Sequence, residues 1–325
     1  MRVSIVIAHY NGKNLLDTCL SSLLPQVDDP SSVIVVDNGS VDGSPQHIKK
    51  NWPMVTGLFM GRNTGFTGAN NAGSSLTGSD FVLLLNNDTR VAPGWLENLL
   101  KPFEDPSVAA VTSSMRRMGE PGTMDSAGGS LDNLGYTFDL GRGEPAARWN
   151  TPNEVIAPCG GAMALRRSAL EDGKTVFWNT LFLYNEDSDL GLRLWKNGYR
   201  VVYCPDAVVE HAMSATAGEA SPAKVFYCTR NRILVLRRHL GNDFRLIAGI
   251  LASWEVMSLG FMLSRGQVQR FRFSLSGFRE AYSMRIKPYG DSETARKLFA
   301  RFMKPTVGTA LRRRAGSMMY RRISL

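Results

Sequence analysis

The chain has 325 residues, 43% of them apolar, and a formal net charge of +9. That length suits one large α/β domain with an appendage, and the apolar share is enough for a packed core, which excludes a disordered or fibrous chain. The charge is uneven: residues 1–221 hold 17 Lys and Arg against 24 Asp and Glu, whereas residues 222–325 hold 21 against 5. The basic character therefore belongs to the C-terminal part and points it toward an anionic partner, either a lipid surface or nucleic acid.

In chain order, VSIVIA (3–8) reads as a first strand; with one charge and a short apolar run, the N-terminus is too brief for a leader peptide. Apolar residues at Leu15, Leu16, Cys19, Leu20 and Leu23 follow at helical spacing. VIVVD (33–37), residues 55–60 and FVLLL (81–85) are further strands, each separated from the next by a helical segment. This β-α alternation predicts a Rossmann-like, mainly parallel sheet with helices on both faces. A helix opening at Pro93 and Gly94 leads to a strand at 108–112, and residues 113–157 read as a long irregular excursion. Asp189 to Lys196 reads as a helix closed by Asn197-Gly198, and Tyr199 to Cys204 as a strand. From Phe226 the pattern is helical and basic. LIAGILASWEVMSLGFML (246–263) approaches spanning length, although Glu255 at its centre makes a full crossing costly. The domain division expected is 1–221 for the α/β part and 222–325 for a basic helical, membrane-associating region.

Cys19, Cys159, Cys204 and Cys228 lie far apart with no C-x-x-C spacing, the pattern of reduced thiols in a cytosolic protein and not of a zinc or redox pair. Chemistry is concentrated at strand ends. Ala8, His9, Tyr10 and Asn11 follow the first strand, and Asp37 closes the second, where an acid is placed to accept hydrogen bonds from a ribose or base while Tyr10 stacks on that base. Capping of the next turn is an equally good role for Asp37. In GRNTGFTGANNAG (61–73), Asn63 and Gly65 stand at the mouth of a helix whose amides favour anions, with Asn70 a turn further on; close helix packing explains the same small residues. Neither a phosphate-loop pattern nor G-x-G-x-x-G follows the first strand, so ATPase and NAD readings lose their support. Asp88, preceded by Asn86 and Asn87, and His211 offer oxygen and nitrogen ligands to Mg²⁺ or Mn²⁺, with a diphosphate filling other positions. In Asn185-Glu186-Asp187-Ser188-Asp189 three acids crowd together; Asp187 is the candidate general base, while Ser188 and Asp189 read as helix-capping residues.

Taken in order and spacing, IVIAHYNG, VVDNGSVDGS, RNTGFTGANNAG, LLLNNDT, CGGAMALRR and LYNEDSDLGLRLWKNGYRVVY…EH resemble the family 2 glycosyltransferases, most closely the bacterial rhamnosyltransferase-like branch, over about residues 1–232. The resemblance implies a GT-A fold, an inverting mechanism and a nucleoside-diphosphate sugar donor, dTDP- or UDP-linked, held through Mg²⁺ or Mn²⁺. It implies nucleoside contacts at Ala8, Tyr10 and Asp37, donor and metal contacts at Asn86, Asn87 and Asp88, catalysis at Asp187 with its neighbour Glu186, and a metal-binding His211. Asn86 departs from the acid that many members carry and brings no charge.

The basic C-terminal part fits amphipathic helices lying on an anionic membrane surface, each well-placed cation contributing about 1 kcal/mol. The terminal RRRAGSMMYRR lacks the aromatic platforms and motif of a nucleic-acid binder, so lipid is the favoured partner. The expected location is cytoplasmic, peripheral on the inner face of the cell membrane, with a lipid-linked saccharide as acceptor. QVQRF (267–271) resembles the Q-x-x-R-W of processive synthases but ends in Phe and lacks a set of spanning helices, so transfer of a single sugar is expected. Two competing readings are a sugar-nucleotide pyrophosphorylase, which needs a Gly- and Lys/Arg-rich loop that HYNGKN does not supply, and a non-catalytic membrane adaptor with a degenerate transferase fold.

Overall fold

The computed structural model describes residues 1–132, 134–212 and 221–302. The strands among them are β1 (Val3–His9), β2 (Val33–Asp37), β3 (Thr56–Phe59), β4 (Phe81–Asn86), β5 (Thr89–Val91), β6 (Val108–Arg117), β7 (Glu120–Ser126), β8 (Gly129–Leu131), β9 (Thr137–Asp139), β10 (Asn153–Glu154), β11 (Ala162–Arg166) and β12 (Arg200–His211). The helices are α1 (Lys13–Leu23), α2 (Ser44–Asn51), α3 (Gly65–Ser75), α4 (Trp95–Leu100), α5 (Glu186–Lys196), α6 (Pro222–Leu240), α7 (Phe244–Ser264), α8 (Val268–Ser283) and α9 (Ser292–Phe302).

One sheet runs in the order β10-β12-β6-β11-β4-β1-β2-β3, with β5 added to β12 and β7 to β6. β3, β2, β1 and β4 are mutually parallel, and β6 and β12 form a second parallel pair; β11 joins the two groups antiparallel to both. Alternation along β1, β2 and β4 sorts the apolar side chains onto two faces. Ile5, Ile7, Val33, Val35, Leu83 and Leu85 pack against Leu16 and Leu20 of α1 and Trp95 and Leu99 of α4. Val6, Ile34, Val36, Val82 and Leu84 face Ala69 of α3, Leu190 and Leu194 of α5 and Ile233 to Leu236 of α6. Each large aliphatic side chain so buried contributes about 1.5–3 kcal/mol. α5 presses directly on backbone: a Cβ on Gly191 would lie 2.1 Å from the Ile156 carbonyl oxygen, so only glycine permits this crossing.

Three sequence-based expectations change. Residues 113–157 are no irregular excursion: β6 continues to Arg117, and β7, β8, β9 and β10 follow. Their Ser, Gly, Asp and Arg residues conceal the pattern, because these strands border a polar site and do not alternate cleanly. Helix α5 opens at Glu186, three residues before Asp189. The strand at 199–204 extends to His211, with its register shifting between Cys204 and Val208, beside Pro205, which has no N–H for the ladder.

Helices α6 to α9 share the sheet's own core; Leu240, Phe244, Leu251, Ala281, Ala295 and Leu298 are buried in it. Expected as headgroup ligands, the arginines of α6 are instead committed internally. Arg232 donates to the Leu134 carbonyl and pairs with Glu255, Arg237 donates to the Ala281 carbonyl, and Arg238 pairs with Asp189 at 2.9 Å. Glu255 thus faces a guanidinium inside the protein. The opposite side of α7 is bare: Leu246, Ile250, Val256 and Met257 are each at least 60% exposed. Among the described residues one helical run, Pro222–Ser264, is long and apolar enough by length and composition to cross a membrane, and its apolar window is only 11% buried. The RRRAGSMMYRR segment lies outside the described residues.

Candidate functional site

The parallel register of β1, β2 and β4 places Ala8 beside Asn86 and His9 beside Asp37, so the first, second and fourth strand ends meet at one edge. Tyr10, half-buried, continues from β1 into a loop fixed to its neighbour: Asn11 N–H donates to Ser40 Oγ, and Val41 N–H to Asn11 Oδ1. Asp37 is 2% exposed; its Oδ2 accepts from Ser40 N–H at 3.2 Å, while its Oδ1 is buried with no partner. The turn-capping role and an open acceptor thus coexist in one carboxylate.

His9, to which the sequence assigns no role of its own, is fully buried. Asn87 Nδ2 donates to its Nδ1 at 2.8 Å, which leaves Nε2–H to donate to Ser44 Oγ at 2.8 Å. Burial lowers its pKa, in keeping with this neutral tautomer. Ser44 in turn donates to Asp42, whose carboxyl is held, despite burial, at about 2 by hydrogen bonds from Ser44 and Gly12. The Asn87 amide is therefore spent on orienting the turn that carries Asp88. Asn86, half-buried, donates its N–H to the Gly161 carbonyl and accepts on its own carbonyl from Thr89 Oγ1.

Pairing of β5 with β12 sets His211 opposite Thr89, which carries the imidazole to Asp88. His211 Nε2 lies 3.2 Å from Asp88 Oδ1, an ion-pair distance without hydrogen-bond alignment, so that oxygen stays buried and unbonded. On the other side, Asp125 Oδ2 of β7 sits 2.7 Å from His211 Nδ1. This is the carboxylate–histidine arrangement that fixes ring orientation behind a metal ligand. Against burial, the hydrogen bond with Asp125 and the charges of Asp88 and Asp125 raise the pKa of His211 to about 9. Among the described residues no three His, Cys, Asp or Glu side chains form a metal cage. Once the His211 ring gives up its Nε2 proton, the Asp88 carboxylate and the anchored imidazole fit a cation whose remaining positions come from a diphosphate and water.

Glu186 and Asp187 open α5 after Asn185 at φ 67°. Glu186 is buried, and its Oε2 has no partner. Burial, then the neighbouring Asp187 charge, raises its pKa. Asp187 keeps partial exposure and accepts from Ser188 N–H at 2.7 Å; burial, then Asp139, raises its pKa also. Arg142 connects the two acid groups, 2.9 Å from Asp139 and 3.3 Å from Asp125. Neither Asp125, Asp139 nor Arg142 could be picked from a segment read as irregular.

The phosphate-cradle expectation at α3 is corrected. Thr64 N–H donates to Asn38 Oδ1, Gly65 N–H to Asn63 Oδ1 and Thr67 N–H to the Phe182 carbonyl, so these amides are already used. Asn70 is buried and donates to Phe66 on its own helix. Asp189 is no cap either: it is fully buried between Arg193, Arg238 and His239.

The family model described as "Glycosyl transferase family 2" matches residues 4–173. An N-acetylglucosaminyl-diphospho-decaprenol L-rhamnosyltransferase of Mycobacterium tuberculosis is 29% identical over 261 residues, covering 73% of this chain and 85% of that protein. A pre-mycofactocin glycosyltransferase of the same organism is 30% identical over 247 residues, 72% of this chain and 48% of its own length. In fold, the chain is similar to a mannosyltransferase from Pyrobaculum calidifontis solved with GDP-Man and Mn²⁺, at TM-score 0.53 and 18% identity over 86% of this chain and 87% of that one. GalNAc-T7, solved with UDP, GalNAc and Mn²⁺, superposes at TM-score 0.60 and 16% identity over 93% of this chain and 58% of that one. The fold is GT-A, as the motif order implied.

Proposed function

We propose, from the premise that this chain belongs to glycosyl transferase family 2, that it moves one sugar, rhamnose or a similar hexose, from a dTDP- or UDP-linked donor to a lipid-linked saccharide, with inversion, in cell-surface polysaccharide synthesis. One observation carries this reading: Asp37 Oδ1, Asp88 Oδ1 and Glu186 Oε2 are buried carboxyl oxygens with no hydrogen-bond partner among the described residues, Asp88 Oδ1 meeting only the His211 ring at 3.2 Å. Buried acceptors left unmet are costly in a finished protein and are expected where a ligand completes them.

Asp37 Oδ1 accepts from the donor's nucleoside, with Ala8 and Tyr10 beside it on the same edge. Asp187, raised toward neutrality, removes a proton from the acceptor hydroxyl, whose oxygen bonds to the anomeric carbon as the bond to the diphosphate breaks on the opposite face. The diphosphate departs with the electron pair. Glu186, raised by burial and then by the adjoining charge, stays protonated and leaves Asp187 as the base. A divalent cation held by Asp88 and His211, with the diphosphate completing its shell, would supply charge stabilisation to the leaving group.

The 29% identical relative bears a lipid-linked acceptor in its name, and α7 offers a matching surface here. Its exposed Leu246, Ile250, Val256 and Met257 lie on the cytoplasmic leaflet, with Arg245 and Arg265 near the helix ends. α7 rests on the surface and does not span it, because Leu251 and Glu255 on its other side are buried against the protein.

The test is calorimetry and nucleotide release with the full chain, a panel of dTDP- and UDP-sugars, and Mn²⁺ or Mg²⁺. A metal-dependent heat and release of nucleoside diphosphate are expected. No metal-dependent response to any donor overturns the reading. Co-sedimentation with anionic vesicles, weakened by Leu246→Glu and Ile250→Glu, tests the membrane arm.

A further inference from the structure

The ten residues before Glu186-Asp187 form a strap, 176–185, in which three non-glycine residues adopt positive φ: Phe182 (φ 63°), Tyr184 (φ 71°) and Asn185 (φ 67°). For side chains of this size such a conformation persists only where the surroundings over-determine it. Two helices far apart in sequence do so. From α3, Asn71 Oδ1 accepts from Val176 and Phe177 N–H and its Nδ2 donates to the Phe177 carbonyl; Thr67 N–H donates to the Phe182 carbonyl. Gly65 is required there, since a Cβ would lie 2.4 Å from that carbonyl oxygen. From α6, the fully buried Asn231 turns its Nδ2 toward three carbonyls, Leu181, Leu183 and Tyr184, each at 2.8 Å. Arg230 adds Thr180 and Leu181, and its Nε donates to Asn231 Oδ1, which fixes the amide orientation.

We infer that Asn231 and Arg230 are positioning residues for the reaction: by capping the strap's carbonyls they hold its positive-φ turn, and with it the placement of Glu186 and Asp187 at the start of α5. The C-terminal helical part is thereby a component of the catalytic site, a role its basic composition does not advertise. The inference rests on the transferase reading for its kinetic arm only. A misplacement of the base by about 1 Å costs on the order of 10²-fold in rate while leaving donor contacts at the sheet edge intact.

The experiment compares wild type with Asn231→Ala and with the milder Arg230→Gln, in the full chain, by amide hydrogen exchange and, with whichever donor the wild type uses, by steady-state kinetics. Expected for Asn231→Ala is at least a tenfold loss of protection at amides in 182–188, unchanged protection in β1 and β4, about a 10²-fold fall in kcat and a donor KM within threefold. Arg230→Gln should show the same split at smaller amplitude. Equal loss of protection in strap and sheet, or unchanged strap protection, overturns the inference; so does kcat within threefold of wild type despite a loosened strap. If wild type transfers from no donor, the transferase reading fails while the exchange arm still decides whether the clamp exists.

Discussion

Glu186-Asp187 and Asp189 sit within one turn of the same helix, yet they are opposite kinds of acid. Asp189 points into α6, where Arg193, Arg238 and His239 surround it, and these partners hold its carboxyl well below the usual carboxylate range against the opposing pull of burial. Glu186 and Asp187 meet no cation among the described residues: burial, and then the charge of a neighbouring acid, Asp187 for Glu186 and Asp139 for Asp187, raises both. Under the proposed function, an acidic side chain on α5 is structural or reactive according to what the fold sets opposite it, not according to its place in the run of acids.

The largest expected effect breaks the reactive side of this contrast. Asp187→Asn should lower kcat by about 10³-fold or more, within the range for loss of a general base, while calorimetric affinity for the nucleotide stays near that of wild type; retained turnover would refute the assignment. The structural side breaks differently. Asp189→Asn leaves Arg193 and Arg238 without their carboxylate partner in the interior, and should cost about 3–5 kcal/mol in urea unfolding, with residual activity falling only in proportion to the folded fraction.

The same contrast predicts two opposed pH dependences. Asp189 is depressed, so its stabilisation is present above its unfolded pKa of about 3.9 and is lost as the pH falls below that value. Glu186 and Asp187 are raised, so the folded state favours their protonated forms and loses stability as the pH climbs above about 4. Urea midpoints over roughly pH 3 to 8 should show both slopes; Asp189→Asn should flatten the acid one and Asp187→Asn the upper one. For turnover, Asp187 must be ionised, so the rate should fall on its acid side at a pH above the ordinary carboxylate range.

The smallest effect sharpens the picture. Arg142→Met removes the cation beside Asp139, whose charge already raises Asp187. The acid limb of the rate profile should move to higher pH with little change in the plateau; a limb that stays in place or moves down would show that Asp139 does not act on the base.

Much of the sheet edge was legible in the chain. Strands at 3–9, 33–37 and 81–86 are apolar runs that stop at polar residues, so Asp37, Asn86 and Asp88 had to emerge at a sheet edge once the strands were parallel. Asp88 and His211 were identified separately and are brought together by β5 and β12. The groups behind that edge were poorly legible. Asp125 and Asp139 lie in short, polar strands without periodicity, and His9 was passed over in favour of Ala8 and Tyr10 on either side of it. Asn63, Gly65 and Asn70 look like a phosphate cradle by composition, but their amides and side chains are consumed by Asn38, Phe66 and the strap.

By itself the sequence determined the parallel β-α frame, the strand tips where polar groups emerge, the family, and the charge difference between its two parts, because periodicity and motif spacing are local and survive without coordinates. Only the tertiary structure decided which charges find partners: that Asp189 is neutralised and Asp187 is not, that the arginines of α6 face inward, and that one side of α7 is left bare. Those outcomes depend on contacts between residues tens to more than a hundred positions apart, such as Arg238 with Asp189 and His211 with Asp88. Pairing energies at such separations are set by burial and approach distance, which no local pattern encodes.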